Sequence, residues 1–216
     1  MSRVVIFANG VLNQPDLLRR HLRPTDRIFC ADGGTRHALA MGLTPEVIVG
    51  DLDSLDPDLR AELAAAGVRF EVHPVRKDET DLELAIGLAI AEGATQVNLL
   101  AVLGGRLDQS LANLMLLTRP EWDSGRVRVI EGDEIAWPVR GGQTETIEGS
   151  AGDTLSLVPL TPQVTGVTLQ GVEWPLHKTT LRFGSTLTVS NVLTEPTARL
   201  EVENGLLLVI HKEEHK

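Results

Sequence analysis

Val47-Ile48-Val49-Gly50-Asp51-Leu52-Asp53-Ser54 sets the frame for the whole chain. The apolar run Val47–Val49 reads as a buried strand of a parallel sheet, and Gly50 ends it. Two carboxylates at i, i+2 follow the strand end, where a doubly wound sheet keeps its ligand site. Hard oxygen donors in that pattern suit magnesium. The same residues also serve as turn and helix caps, with Ser54, Asp56 and Asp58 close behind.

Working outward, the first half alternates strand and helix patterns. Strands are expected at 3–8, 27–31, 47–50, 69–72, 96–103 and 126–130. Helices are expected from Asn13 through His21 and at 35–41, 58–66, 80–91 and 108–117. Short links between them imply right-handed βαβ units and a mostly parallel, Rossmann-like sheet. The glycines match neither G-x-G-x-x-G nor a Walker loop, which excludes an ordinary dinucleotide site and a P-loop kinase.

From about Glu131 the texture changes to short alternating runs, at 135–139, 143–147, 154–159, 164–168, 179–183, 187–190, 198–202 and 206–211. These predict an all-β sandwich or roll, with Asn204-Gly205 as a hairpin turn. Two domains are therefore expected, an α/β one over residues 1–130 and a β one over 131–216.

Composition bounds the function. The chain has 216 residues, 42% of them hydrophobic and 23% charged, and a net charge of −10. That supports a sizeable core and argues against a nucleic-acid surface held by phosphate contacts. The single cysteine, Cys30, excludes an internal disulfide and a multi-cysteine zinc site, and its apolar surroundings predict a buried structural thiol. Met1 leads straight into an apolar run with no basic leader, and no run is long enough to span a bilayer. The expectation is a cytoplasmic protein without membrane contact. Of the histidines, His73 stands in a His-Pro loop, and His211 and His215 read as a frayed C-terminus.

Three further clusters also follow predicted strands. Lys77-Asp78-Glu79-Thr80-Asp81 opens a helix, where Thr80 can cap and acids favour the positive dipole end. Two carboxylates ~4 Å apart repel by about 4 kcal/mol at an effective dielectric near 20. If Asp51, Asp53 and Asp81 converge, they call for a cation. Gly104-Gly105-Arg106-Leu107-Asp108 lets backbone amides approach a phosphate and adds a forked cation, with Asp108 also a candidate N-cap. Asp32-Gly33-Gly34 permits close approach to a ligand. Asn9-Gly10 can contribute similarly.

As an ordered set, Asp32-Gly33-Gly34, Gly50–Ser54, Lys77–Asp81 and Gly104–Asp108 resemble the thiamine pyrophosphokinase family. Gly171-Val172-Glu173-Trp174-Pro175-Leu176 and Thr188-Val189-Ser190-Asn191 are similar to that family's C-terminal segments. The resemblance implies transfer of pyrophosphate from ATP to the hydroxyl of thiamine, giving thiamine diphosphate and AMP. It implies Mg2+ held by Asp51, Asp53 and Asp81, with Thr80 beside them. Arg106 and Asp108 would hold the phosphates together with Gly104 and Gly105, and Asp32 and Gly33 would line the ATP cleft. Trp174, Ser190 and Asn191 are the thiamine candidates, and the β domain would form a homodimer. The base is left open between Asp81 and Asp51. Two alternatives remain at this level: the same fold acting on a pterin alcohol, and a non-catalytic nucleotide- or thiamine-binding regulator.

Overall fold

Uninterrupted apolar runs need cover on both faces, and in the N-terminal half they find it in one parallel sheet. In the computed structural model, residues 2–214 are described. The chain divides into two units, Met1–Gly132 and Asp133–Lys216.

The first unit runs β1 (Arg3–Phe7), α1 (Pro15–Leu18), β2 (Arg27–Ala31), α2 (Thr35–Ala40), β3 (Val47–Gly50), α3 (Pro57–Ala65), β4 (Arg69–Val72), α4 (Asp81–Ala91), β5 (Gln96–Leu100), α5 (Leu107–Leu116) and β6 (Val127–Glu131). Its strands pair in parallel in the order β6-β5-β1-β2-β3-β4. Val4, Val5, Ile6 and Phe7 of the central strand are wholly buried. Each such side chain contributes roughly 1.5–3 kcal/mol relative to exposure. Helix α4 turns Leu82, Ala85, Ile86 and Ala89 inward and packs on β1, β2, β3 and β5. Cys30 is buried in β2, and burial pushes its thiol up to about 12, so it is not a nucleophile at neutral pH.

Some boundaries move. Strand β5 ends at Leu100 rather than at residue 103, because Ala101 turns to φ 54°. The first helix stops at Leu18 and continues as a 3-10 turn, Arg19–His21. Helix α5 starts at Leu107 with Arg106 at its N-cap and no side-chain cap. Asp108 is therefore not the cap. It sits inside the first turn, accepting from Gln109 N at 2.9 Å.

The second unit holds β7 (Glu134–Arg140), β8 (Thr144–Glu148), β9 (Thr154–Pro159), β10 (Gln163–Gln170), β11 (Leu176–Arg182), β12 (Asn191–Val192), β13 (Thr197–Glu201) and β14 (Leu206–Lys212). Two antiparallel sheets form, ordered β12-β9-β14-β7 and β11-β10-β13-β8. Val139, Leu155, Leu157 and Val209 of one share a core with Val164, Val167, Leu169 and Leu200 of the other.

Three expectations fail here. Residues 187–190 form turns and bends, and only Asn191–Val192 pairs with β9. Asn204-Gly205 is not a hairpin turn: β13 belongs to one sheet and β14 to the other, so the chain changes layer there. Gly205 makes the crossing, at φ 97°, where an added Cβ would lie 2.7 Å from the Gln163 carbonyl oxygen. His211 is not frayed. It lies in β14, 6% exposed, with Nε2 3.0 Å from Asp153 Oδ2. His215 is outside the described residues. Among those described, no helix is long and apolar enough to cross a membrane.

Candidate active site

The strand order reverses beside β1, whose neighbours are β2 and β5, and ligands of open parallel sheets gather at the carboxyl ends of strands near such a reversal. Loops after β1, β2, β3, β4 and β5 line one cavity of about 300 Å³ at that edge. Asp32, Asp51, Lys77, Thr80, Asp81 and Gly104 are among its walls.

The acidic groups meet because the backbone turns sharply after two strands. Asp32 follows β2 at φ 43°, and Leu52 follows β3 at φ 61° with its side chain buried. Left-handed backbone at non-glycine residues costs on the order of 1–3 kcal/mol and persists only where the surroundings impose it. The result is that Asp32, Asp51 and Asp53 each offer an oxygen within 4.8 Å of the others. Ser54 Oγ donates to Asp32 Oδ1 at 2.7 Å and fixes the first of them. Asp53's carboxyl is held above the usual carboxylate range. The hydrogen bond it shares with Asp51 is the main cause, followed by Asp51's charge and those of Asp32 and Asp81.

Asp81 stands beside this trio. A Cβ built on Gly50 would be 3.1 Å from Asp32 Cβ and 3.3 Å from Asp81 Cγ, so both acids crowd the bare glycine. Asp81 Oδ1 is taken by Lys77 Nζ at 2.6 Å. The carboxylate oxygens that converge are thus those of Asp32, Asp51 and Asp53, with Asp81 neutralised at their edge. Lys77, quoted in the sequence motif but assigned no role there, belongs to the cavity wall. Thr80 caps α4, accepting from Glu83 N at 3.2 Å, and lines the cavity as well.

Gly104 reaches the cavity, while Gly105, Arg106 and Asp108 lie outside its lining. Arg106 and Asp108 form a two-bond pair, Nε to Oδ1 at 3.1 Å and Nη2 to Oδ2 at 2.5 Å, each about two-thirds exposed. Asp108 raises the Arg106 guanidinium's pKa, and Arg106 holds Asp108's carboxyl below its usual range. Gly33 packs against Asn9, and an added Cβ there would lie 2.5 Å from Asn9 Oδ1. Asn9, Gly10, Gln109 and Asn113 also line the cavity. Asn9 and Gly10 stand among the strand-end turns the sequence offers, whereas Gln109 and Asn113 do not. Their one signal was helical spacing, since Gln109 and Asn113 are four apart on α5.

In the β unit, Trp174, Leu176, Leu187, Thr188, Val189 and Asn191 line a separate hollow of about 310 Å³. Trp174 is 57% exposed. Asn191 is buried and spends both ends of its amide on Trp174's backbone, accepting from N at 3.1 Å and donating to O at 2.8 Å. Ser190 lies outside this lining, at φ 61°, with its backbone N donating to Ser156 Oγ at 2.9 Å. The other two tryptophans are structural: Trp122 is buried beneath Arg119, and Trp137 packs on the β core.

Comparison with known proteins agrees across both units. The family model described as thiamin pyrophosphokinase, catalytic domain, matches residues 18–129. The model described as thiamin pyrophosphokinase, vitamin B1 binding domain, matches residues 143–207. The thiamine pyrophosphokinase of Bacillus subtilis (strain 168) is 27% identical over 210 residues, covering 97% of this chain and 98% of its own. The solved thiamine pyrophosphokinase structure from Bacillus subtilis superposes with a TM-score of 0.88 at 26% identity, covering 99% of this chain and 100% of its own. That from Geobacillus thermodenitrificans gives 0.82 at 26% identity, covering 99% of both chains. Matched along nearly its whole length, the chain belongs to the thiamine pyrophosphokinase family.

Proposed function

We propose that the cavity at the strand ends binds ATP with Mg2+ and transfers its terminal pyrophosphoryl group to thiamine. The chain is a thiamine diphosphokinase, making thiamine diphosphate and AMP. The carrying observation for the site is that Asp32 and Asp51 wall that cavity, while Asp53, outside its lining, offers an oxygen within 4.8 Å of both. The reversal of strand order beside β1 supports a Rossmann-like nucleotide site.

The donor set fits a hard divalent cation: three carboxylates and no soft ligand, with Asp53's carboxyl raised by its hydrogen bond with Asp51 and then by its neighbours' charge. Asp51 and Asp53 would hold the ion, with Asp32 and Asp81 beside them. The chemistry a bound Mg2+ supplies is neutralisation of charge on the transferred phosphoryl oxygens. Lys77, paired with Asp81 at the cavity wall, would offer its ammonium to phosphate oxygens there. Thr80, Gly33, Gly104 and Gly105 present hydroxyl and backbone groups to the nucleotide. Arg106, oriented by Asp108, stabilises charge on the pyrophosphoryl group and on departing AMP.

The reaction balances simply. The hydroxyl oxygen of thiamine attacks the β-phosphorus. The bond from that phosphorus to the α,β-bridging oxygen breaks, and AMP leaves with the bridging oxygen. The hydroxyl proton passes to a carboxylate, Asp51 or Asp81. Such a transition state is loose, so positioning and electrostatics supply most of the acceleration.

Trp174 offers its exposed ring to the cationic thiazolium or the pyrimidine, Asn191 fixes the backbone that carries the ring, and Ser190 precedes Asn191 outside that hollow. Residues 1–130 thus form the ATP- and Mg-binding catalytic domain and 131–216 the thiamine-binding one. The exposed Trp174, Phe183, Leu187 and Val189 support a homodimer through the β domain.

The test is direct: purified protein, ATP, magnesium and thiamine, with products separated by chromatography. AMP and thiamine diphosphate in equal amounts are expected. Neither product across several divalent metals would overturn the reading.

A further inference from the structure

Three consecutive carbonyls beyond β5 each accept from a different donor. Gly10 N donates to Ala101 O at 2.7 Å, and Val11 N to Leu103 O at 2.8 Å. These bonds stitch the loop after β1 to the loop after β5. Between them, Val102 O accepts from Asn113 Nδ2 of α5 at 2.7 Å. Val102 is 1% exposed, so little water is available to replace that donor. A buried carbonyl left unpaired costs about 1–3 kcal/mol.

The segment needs an outside constraint. Ala101 sits at φ 54°, and Gly104 and Gly105 at 83° and 70°. Glycines at positive φ have little intrinsic preference for one path. Asn113 supplies one from the helix that the loop itself opens, at the buried start of the segment, while Ser110 Oγ of the same helix donates to Arg106 O at 3.0 Å and to Gly104 O at 3.4 Å farther along. The orientation of its amide is forced, because the reverse flip would set Oδ1 2.7 Å from a carbonyl oxygen. Gly10 is pinned independently from the other side, its carbonyl accepting from His37 Nε2 at 2.9 Å. Asn113 also lines the cavity that Asp32, Asp51 and Asp81 wall.

We propose that Asn113 is a positioning residue for pyrophosphoryl transfer: by holding Val102 it sets the path of the Gly104-Gly105 turn and the placing of Arg106. This rests on the reading that the turn meets the phosphates of ATP. In-line transfer is sensitive to such placing, and misplacement by about 1 Å can cost on the order of 100-fold in rate.

The experiment compares wild type, Asn113→Ala, the isosteric Asn113→Asp, and Leu114→Ala as a control on the same helix. Turnover with ATP and thiamine is measured beside amide hydrogen exchange over residues 103–107. Both Asn113 variants are expected to exchange faster there and to lose at least about tenfold in kcat, with KM for thiamine within about twofold. Leu114→Ala is expected to lower the thermal midpoint but keep kcat. Unchanged kcat and exchange in both Asn113 variants, beside an active wild type, overturn the inference alone. So does an equal kcat loss in Leu114→Ala. A wild type that makes neither product overturns the functional reading, and the inference with it.

Discussion

Asp53 donates its backbone N–H to Asp51 Oδ1 at 3.1 Å, across the left-handed Leu52. An extended chain would send the two carboxylates along one face, roughly 6–7 Å apart. The turn at Leu52 folds Asp53 back, and Ser54 follows to hold Asp32. The backbone thereby concentrates like charge, which a bound cation would relieve.

That arrangement predicts how metal affinity responds to substitution. Asp53→Ala should weaken Mg2+ binding by about tenfold or more, since ligand charge sets affinity at oxygen sites. Ser54→Ala should weaken it less, by no more than about tenfold, the low end of the range for groups that orient ligands. Calorimetric titration of the nucleotide-free protein reads both. Equal affinity in wild type and Asp53→Ala would remove Asp53 from the ligand set.

Gly50 separates packing from charge. Its φ of 153° and the 3.1 Å approach of Asp32 Cβ leave little room for a methyl group. Gly50→Ala should cost about 1–3 kcal/mol and displace Asp32 and Asp81 together. Gly42→Ala is the matched comparison, with φ at 72° but open space around the new methyl. Thermal melts should show both variants destabilised, while turnover should fall only in Gly50→Ala.

The acidic edge was readable because strand, turn and helix patterns are local. Strands at 27–31, 47–50 and 69–72 stand where the apolar runs put them, and each leads into a loop of the cavity. What escaped was long-range. Asn204-Gly205 signals a chain reversal, but whether the next strand joins the same sheet depends on partners elsewhere in the sequence. His211 looked terminal because Asp153, its partner, lies 58 residues away. Asn113 carried only a helical spacing, and its role depends on a carbonyl eleven positions earlier.

Arg106 offers a test with little structural cost. It and Asp108 are about two-thirds exposed, so Arg106→Ala should change stability by no more than about 0.5 kcal/mol. Loss of a cation aimed at developing charge should lower kcat by about 100–1000-fold. Arg106→Lys should restore little, because the ammonium lacks the fork that meets two oxygens. A lysine variant at near wild-type kcat would reduce Arg106 to a point charge.

Trp174 and Asn191 should divide by parameter. Trp174→Ala should raise KM for thiamine about 3–30-fold, the range of a ring facing a cation, and leave KM for ATP unchanged. Asn191→Ala should do the same and also lower the melting point, because two backbone groups of Trp174 lose their partners. Thiamine should quench the fluorescence of wild type and not that of Trp174→Phe.

Asp153 gives the β unit an acid-sensitive joint. Its carboxylate accepts from Ser150 N at 2.8 Å, Glu214 N at 3.0 Å and His211 Nε2 at 3.0 Å. Burial alone would raise its pKa, but the two backbone amides and His211 outweigh that and hold it below the usual range. A depressed native pKa means that the carboxylate's stabilising contribution is complete above the unfolded value, ~3.9, and is lost as pH falls through the native one. Asp153→Ala should cost about 3 kcal/mol at pH 7, because it leaves His211 and two amides without their buried partner. Asp153→Asn keeps the shape but not the charge, so its deficit against wild type should be large at neutral pH. That deficit should shrink as acid protonates Asp153 in wild type. Urea melts of both proteins at pH 7 and near pH 3 measure the difference. A deficit that stays constant across that span would mean that the charge of Asp153 contributes nothing to the joint.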